Sequence, residues 1–429
     1  MTREQIVEAM FQVLSEKMSH ANLDKFQSDA RLLEDLALDS SLILQWLMFL
    51  ELDHGLSITE DTLMNQDFKT VREVAQLMYE AQGLPKVEKG LEVYEDLKIH
   101  CVASCLAEIV KRQSGFDHRI LYFAVWDAKV CVSDRYVLSY HDQNISHQHF
   151  FDWYETLYGM KVSPWYRHDI EKQKNLETLA ELVAKRKPGQ HIMVMLDMFQ
   201  LPERENEFSK DPFPHYVMLG PTPDPKLWFM YDPDYRWEGV IKKQRIVNAV
   251  SQPSVAGGYV VSEQGLRPTS LAQVNAYFDA CFIADSNPLT DAVRNIVEAH
   301  ALGRDKNGAE LALKHLASAL EEVQVLSLRK YAYEHGFAYF WRALGLPESE
   351  FDDYCELIDR LVKSYKLIQF QAMKLAASEE LSLLDKIRSL LDEQDKREFE
   401  IKAHLVAVKN QWAQTFVAKK NEALVGVEV

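Results

Sequence analysis

Residues 100–112 read His100-Cys-Val-Ala-Ser-Cys-Leu-Ala-Glu-Ile-Val-Lys-Arg112, with apolar members spaced along one helical face. The pattern predicts a helix that begins at or just after Cys101. A helix N-terminus stabilises a thiolate through its dipole and its free backbone N–H groups, and the same groups can hold an oxyanion during acyl transfer. Cys101 is therefore a candidate nucleophile, with a buried structural cysteine as the alternative. Cys105, one turn later on the apolar face, is predicted to lie in the core.

Apolar runs typical of β-strands follow this helix as far as about residue 263. They are Ile120–Val125, His191–Leu196, Tyr216–Leu219, Leu227–Tyr231 and Gly258–Val261, with turn residues between them. One helix followed by a strand-rich half predicts an α+β domain.

A cysteine nucleophile needs a base, and the base needs a group that orients it. His215 stands at the head of one predicted strand, and Asp232 ends the next. If the two strands form an antiparallel pair, these side chains come close together and complete a triad in the order Cys101, His215, Asp232. Taken singly, the histidine could be a polar residue at a strand edge and the aspartate part of a turn.

The first 80 residues have the periodicity of helices, in runs from Ile6 to Leu14, Leu42 to Leu52 and Val71 to Met78. Ser40 follows Asp39 at the start of the second run. It is either a plain helix N-cap or an exposed serine that is open to modification.

Acidic side chains are concentrated in this segment. Residues 1–83 hold 15 Asp and Glu against 6 Lys and Arg, which is −9 of the net charge of −17. Such a segment is typical of a mobile module that docks on basic patches, or of a domain that is merely well solvated. The Gly- and Pro-containing stretch after residue 80 reads as a linker.

From about residue 269 onward the pattern is helical almost throughout. Asn287-Pro288 opens one helix with a proline in its first turn. We expect a helical bundle that covers or extends the middle domain. The aromatic-rich stretch Tyr331–Trp341 is either the wall of a pocket or plain core.

A chain of 429 residues is too long for one compact core, so we expect a multidomain α+β protein. The predicted parts are 1–83, a linker at 84–90, 91–265 and 266–429. The net charge of −17 argues against nucleic acid or an anionic membrane as a partner. Five cysteines without regular spacing favour free thiols in the cytoplasm. The sequence holds no Cys-x-x-Cys or His-x-x-x-His pair, so no metal site is expected.

Residues 1–80 resemble the acyl and peptidyl carrier protein family, through their helices, their acidic surface and the motif Leu36-Ala-Leu-Asp-Ser40. The resemblance implies a four-helix domain in which Ser40 bears a 4′-phosphopantetheine arm. A phosphopantetheinyl transferase would attach the arm, and an acyl- or aryl-AMP ligase would load its thiol. Ser41 stands where carriers often have an apolar residue, and it is the alternative site of attachment.

The string around Cys101 resembles the nucleophile helix of papain-like peptidases that remove double-glycine leaders. Pro214-His-Tyr-Val-Met-Leu219 and Tyr231-Asp-Pro233 resemble their His and Asp segments. Met193–Pro202 adds a resemblance to the butirosin-type acyltransferases, which move acyl groups from a carrier protein to an amine. The resemblance spans roughly residues 95–262 and implies that Cys101, His215 and Asp232 are catalytic. Peptidases of this fold usually have a Gln before the Cys, whereas Tyr94–His100 contains none, so the second oxyanion donor is unassigned.

The order of the parts resembles the petrobactin-type siderophore enzymes that join a dihydroxybenzoyl group to spermidine. For this chain the resemblance implies transfer from its own carrier to an amine, with a polyamine as the candidate acceptor. Carboxylates that could hold such an acceptor are Asp197 and Asp234, together with Glu203, Glu205 and Glu207. Direct attack of the amine on the carrier thioester remains an alternative route. A carrier-linked thioesterase or cysteine peptidase, and a non-catalytic carrier scaffold, remain alternative functions.

Overall fold

The computed structural model describes residues 3–27, 30–65, 68–80, 100–141, 145–202, 204 and 210–425. The predicted linker at 84–90 and the candidate residues Glu203, Glu205 and Glu207 lie outside them. Within the described ranges, no helix combines the length and the apolar character needed to cross a membrane.

The described part of residues 3–80 contains the helices α1 (Arg3–Gln12), α2 (Ser40–His54), α3 (Glu60–Asn65) and α4 (Val71–Glu80). Their apolar faces meet in one buried cluster, where the indole N–H of Trp46 donates to the carbonyl of Met10 at 2.9 Å. Gly55 ends α2 with a φ of 66°, a conformation that costs glycine little. The helical runs predicted for this segment are confirmed.

The middle segment begins with α5 (Cys101–Lys111) and contains a six-stranded sheet and a small ribbon. The ribbon is β1 (Cys131–Val132) with β2 (Leu138–Ser139), and the sheet consists of β3 (Lys161–Pro164), β4 (Gln190–Asp197), β5 (Pro214–Pro221), β6 (Leu227–Asp232), β7 (Trp237–Lys242) and β8 (Gly258–Ser262). The order across the sheet is β3-β8-β4-β5-β6-β7, and every neighbouring pair is antiparallel. The helices α6 (Gln148–Tyr158), α7 (Lys172–Ala184) and α8 (Lys243–Ser251) lie between strands in the chain. β4 and β5 are buried along most of their length, which explains their nearly continuous apolar sequence.

The strand predicted at Ile120–Val125 is wrong. Residues Arg119–Ala124 form a 3₁₀-helix whose apolar side chains are all buried. Phe123 packs there between Trp126 and Phe340. A run that is buried on all sides lacks the alternation of a half-buried strand, so periodicity could not separate the two structures. The other four predicted strands are confirmed as β4, β5, β6 and β8.

The C-terminal segment is helical, as predicted. Its α-helices are α9 (Leu271–Cys281), α10 (Pro288–Leu302), α11 (Leu316–Ala319), α12 (Val323–Ser327), α13 (Ala332–Leu344), α14 (Glu348–Ser378) and α15 (Ser382–Val425). Pro288 occupies the first turn of α10. Tyr333, Phe337 and Phe340 are fully buried, which makes the aromatic stretch in α13 part of the core.

The long helix α14 contributes to three buried clusters. Its Leu361 packs with residues of α5 and the sheet, its Tyr365 with residues of α10 to α12, and its Phe370 with the N-terminal helices. The middle and C-terminal segments therefore share one core, and the N-terminal helices pack on α14. The prediction of a multidomain chain that mixes helices with a sheet is confirmed.

Candidate active site

Cys101 is the first residue of α5, where the sequence predicts it. His100 precedes the helix in an extended conformation, and its Nδ1 accepts a hydrogen bond from the N–H of Ala103 at 3.4 Å. The N–H of Cys101 has no hydrogen-bond partner among the described residues. The thiol thus lies at the positive end of a capped helix, beside a donor that is available to a ligand.

The rest of α5 is buried against β5, the strand that carries His215. Cys105 is fully buried, and its Sγ lies 3.7 Å from the carbonyl oxygen of Tyr216. Burial raises the pKa of the Cys105 thiol well above its usual range. Cys105 is therefore a core residue, as predicted, and the half-buried Cys101 is the accessible thiol of this helix.

β5 and β6 form the antiparallel pair on which the triad prediction depended. Nε2 of His215 lies 2.9 Å from Oδ1 of Asp232, and the two side chains are 5% and 0% exposed. A carboxylate can only accept, so Nε2 carries the proton and Nδ1 is the ring nitrogen left for the thiol of Cys101. Cys101 interacts electrostatically with this ring. The structure brings the three predicted residues together.

The charges of this group favour an imidazolium. Burial opposes the charged ring, but the carboxylate of Asp232 and the thiol of Cys101 outweigh it and raise the pKa of His215 well above its usual range. Burial likewise opposes the charge on Asp232, but His215 and Arg204 outweigh it and lower the pKa of that carboxyl. The buried histidine is therefore protonated in the presence of its partner carboxylate.

Arg204 holds the second oxygen of the Asp232 carboxylate. Its Nη2 donates to Oδ2 at 2.9 Å, and the two side chains are 3% and 0% exposed. The guanidinium also lies over the ring of Trp237, 4.4 Å from the centroid. Arg204 was not predicted, because it is one charged residue among several after β4 and no spacing connects it with Asp232.

The carboxylates predicted to bind an amine accept hydrogen bonds from the protein itself. Oδ1 of Asp234 accepts from the N–H of His100 at 3.0 Å and from the hydroxyl of Ser104 at 2.7 Å, and so ties the start of α5 to the turn after β6. Oδ1 of Asp197 accepts from the N–H of Phe213 at 2.8 Å, just before His215. Both positions support the elements that carry the triad.

A cation from the C-terminal segment interacts with the same site. Arg329 lies in the 3₁₀ turn Leu328–Tyr331 and interacts electrostatically with Cys101. Burial lowers the pKa of Arg329 to about 10, and the charge of Cys101 opposes this shift. Burial also lowers the pKa of the nearby His147 to about 4, so that ring is neutral at pH 7. Within the described ranges, Arg329 forms no ion pair with a carboxylate. Arg329 lies 228 residues after Cys101, and no sequence motif connects the two, so its place near the site was not predicted.

Ser40 is the first residue of α2, and the N-cap before it is Asp39. Oδ1 of Asp39 accepts from the N–H of Leu42 at 2.7 Å, so the interpretation of Ser40 as the N-cap is wrong. The Ser40 hydroxyl has no hydrogen-bond partner in the part of the chain that the structure describes, and the residue is partly exposed.

Family comparison connects this site with a known group of proteins. The DUF6005 N-terminal domain matches residues 96–266, and the DUF6005 C-terminal domain matches residues 272–425. The chain belongs to the DUF6005 family. In this DUF6005 chain the triad and Arg204 lie in the first matched segment and Arg329 in the second, so both segments contribute to the site.

The DUF6005 chain also resembles two proteins of Bacillus anthracis. It is 37% identical to petrobactin synthase over 328 residues, which is 76% of this chain and 98% of that protein. At its N-terminus it is 33% identical to the acyl carrier protein AsbD over 87 residues, which is 20% of this chain and 96% of that protein. The predicted relationship to petrobactin-type siderophore enzymes, with a carrier protein at the N-terminus, is confirmed.

Proposed function

We propose that this chain is a carrier-dependent N-acyltransferase, which moves an acyl or aryl group from its own N-terminal carrier through Cys101 to an amine. The observation that carries the proposal is the position of His215, whose ring hydrogen-bonds to the carboxylate of Asp232 and interacts electrostatically with Cys101. A nucleophile, a base and an orienting acid in this relation form a papain-like triad. The matches to petrobactin synthase and to an acyl carrier protein support a donor that is held on a carrier.

The surroundings of Ser40 fit the attachment of 4′-phosphopantetheine. Because Asp39 caps α2, the Ser40 hydroxyl is left without a protein partner among the described residues and is partly exposed. A phosphodiester at this position would lie at the positive end of α2. The arm, once attached, supplies the thiol that holds the acyl group as a thioester.

Cys101 carries the first step. Its thiolate attacks the acyl carbonyl and forms the new C–S bond, while the carbonyl electron pair moves onto oxygen. The N–H of Cys101 at the start of α5 can donate to that oxyanion. As the carbonyl re-forms, the C–S bond of the donor breaks, and the imidazolium of His215 gives its proton to the departing thiolate. The product is an acyl-Cys101 thioester and a neutral His215.

The amine reverses these roles in the second step. Its nitrogen attacks the acyl-Cys101 carbonyl, and neutral His215 takes the proton that the nitrogen loses. The C–S bond to Cys101 breaks as the amide forms, which regenerates the thiolate and the imidazolium. Asp232, held by Arg204, keeps the ring oriented and stabilises its charged form in both steps.

From the resemblance to petrobactin-type enzymes, we infer that the transferred group is dihydroxybenzoyl and that the acceptor is a polyamine such as spermidine. The proposed partners are a phosphopantetheinyl transferase and an aryl-AMP ligase that loads the arm. The proposed location is the cytoplasm, because its reducing conditions keep a reactive thiol such as that of Cys101 free.

The test follows the intact mass of the full chain after it has been modified with a phosphopantetheinyl transferase and loaded with dihydroxybenzoate. We expect one arm on Ser40, loss of the acyl mass when spermidine is added, and an equivalent amount of amide. Cys101→Ala should keep the acyl mass. Cys355→Ser, a half-buried thiol of α14, is the matched control and should behave as the wild type.

Three outcomes would contradict the proposal. Loss of the acyl mass without amide would identify a thioesterase. Equal amide yield from Cys101→Ala would exclude the covalent route. Failure of a folded chain to accept the arm at either Ser40 or Ser41 would refute the assignment of the N-terminal segment as a carrier.

A further inference from the structure

The N-terminal helices pack on one face of α14, a helix that carries none of the triad residues. Leu367, Phe370 and Met373 of α14 enter the buried cluster of the N-terminal segment and are 3%, 6% and 7% exposed. Their spacing of three residues places them on one side of the helix. α2 and α3 are the N-terminal helices in contact with that side.

Polar contacts surround this apolar patch. Nζ of Lys374 lies 2.6 Å from Oε1 of Glu51 in α2, and the two side chains are 13% and 26% exposed. Nζ of Lys366 lies 5.4 Å from the centroid of the Phe68 ring. The contact thus has an apolar centre and charged groups at its rim, which is the arrangement typical of protein recognition surfaces. The basic side chains belong to α14, and the partner segment carries a net charge of −9.

The opposite side of α14 is connected to the active site. Gln369, next to Phe370, is buried and donates from Nε2 to the carbonyls of Leu320 and Glu321 at 3.2 and 3.3 Å. The adjacent Glu322 accepts the N–H of Tyr140 at 2.7 Å. The hydroxyl of Tyr140 donates to the carbonyl of Pro214 at 3.4 Å, and His215 is the next residue. A continuous series of hydrogen bonds and chain neighbours therefore joins α14 to β5, the strand that carries His215.

We propose that α14 is the docking helix for the carrier, and that the contact of Leu367, Phe370, Met373 and Lys374 with α2 and α3 is the arrangement from which acyl transfer proceeds. This inference rests on the proposed function and gives the C-terminal helices a role in it. Because carrier and catalyst are one chain, their encounter is already intramolecular. The docking contact then sets the orientation of the carrier, so its loss lowers the rate of transfer from Ser40.

The test uses the full holo chain, loaded on Ser40, and measures the single-turnover rate of transfer to spermidine by quenched mass spectrometry. Lys374→Glu and Glu51→Lys each oppose like charges across the contact and should slow transfer by about tenfold, since like charges at an interface are costly. The double variant Lys374→Glu/Glu51→Lys restores an opposite pair and should return the rate to within about twofold of the wild type. Lys185→Glu makes the same change of net charge as Lys374→Glu at an exposed residue just after α7 and serves as the control.

A second donor separates docking from chemistry. With a dihydroxybenzoyl thioester of N-acetylcysteamine, which needs no carrier, all four variants should equal the wild type. Wild-type inactivity with both donors would refute the proposed function. A wild-type enzyme that works, together with Lys374→Glu transferring from Ser40 at the wild-type rate or faster, would overturn the docking proposal alone. Failure of the double variant to recover would do the same.

Discussion

At the scale of single residues, Asp232 sets the protonation of the catalytic pair. Its carboxylate is the main group that raises the pKa of His215 against the opposing effect of burial. Asp232→Asn keeps the shape but removes that charge, so the pKa of His215 falls. The imidazolium that protonates the leaving thiolate is then lost at a lower pH. We expect the basic limb of the pH–rate profile to move to lower pH and the rate at pH 8 to fall about 100-fold.

The measurement is kcat/KM against pH with the N-acetylcysteamine thioester, after circular dichroism has established that the variant is folded. Asp169→Asn removes a carboxylate of equal charge that is exposed and remote from the triad, and its profile should match the wild type. A basic limb that stays in place in Asp232→Asn would mean that another group controls the ionisation.

Arg204 positions the carboxylate of Asp232, and its charge also stabilises the folded state by pairing with that buried carboxylate. In Arg204→Met the fully buried Asp232 loses its guanidinium partner and keeps His215 and the N–H of Tyr235. Breaking a buried ion pair from one side costs about 3–5 kcal/mol, so the urea midpoint should fall markedly. Arg167→Met removes a bidentate partner of Asp169 that is exposed on both sides and should leave the midpoint unchanged. Equal midpoints for the two variants would show that the buried pair does not stabilise the fold.

At the scale of elements, the parts of the site that the sequence predicted are those with a period. The spacing of Val102 to Val110 identified α5, and two apolar runs identified β5 and β6, which was enough to place Cys101, His215 and Asp232 together. Arg204 and Arg329 were not predictable, because each reaches the site through tertiary packing alone. The 3₁₀-helix at Arg119–Ala124 was mistaken for a strand because its burial leaves no periodicity.

The end of α6 depends on a close backbone approach. Gly159 ends the helix with a φ of 73°, and a Cβ there would lie 2.1 Å from the carbonyl oxygen of Gly265. Gly345 ends α13 with a φ of 65° and has no neighbour within 4 Å of such a Cβ. Gly345→Ala should cost about 1–2 kcal/mol for the left-handed conformation alone. Gly159→Ala should cost about 1–3 kcal/mol more, because the backbone must move. Urea denaturation of both variants checks the difference, and equal losses would contradict the steric explanation.

At the scale of the whole molecule, a buried charge cluster joins the middle segment to α15. Nζ of Lys330 donates to the carbonyl of Trp126 at 2.6 Å and to the carboxylate of Glu398. Lys402 pairs with Asp127 at 3.0 Å, and all four charged side chains are at most 3% exposed. Since the apolar core around them also draws on both segments, the two segments are expected to lose their structure together.

Lys330→Met tests that cooperativity. The variant leaves Glu398 buried without its nearest cation, which should lower the free energy of unfolding by about 3–5 kcal/mol. Because the apolar core around the cluster contains residues of both the sheet and α15, hydrogen exchange in rising urea should still open peptides from β5 and α15 at one common, lower concentration. Arg388→Met breaks a pair with Glu298 that is 43% and 35% exposed, and it should leave both peptides unchanged. If α15 opened before β5 in Lys330→Met, the sheet and the C-terminal helices would be separate folding units, and the shared core would not couple them.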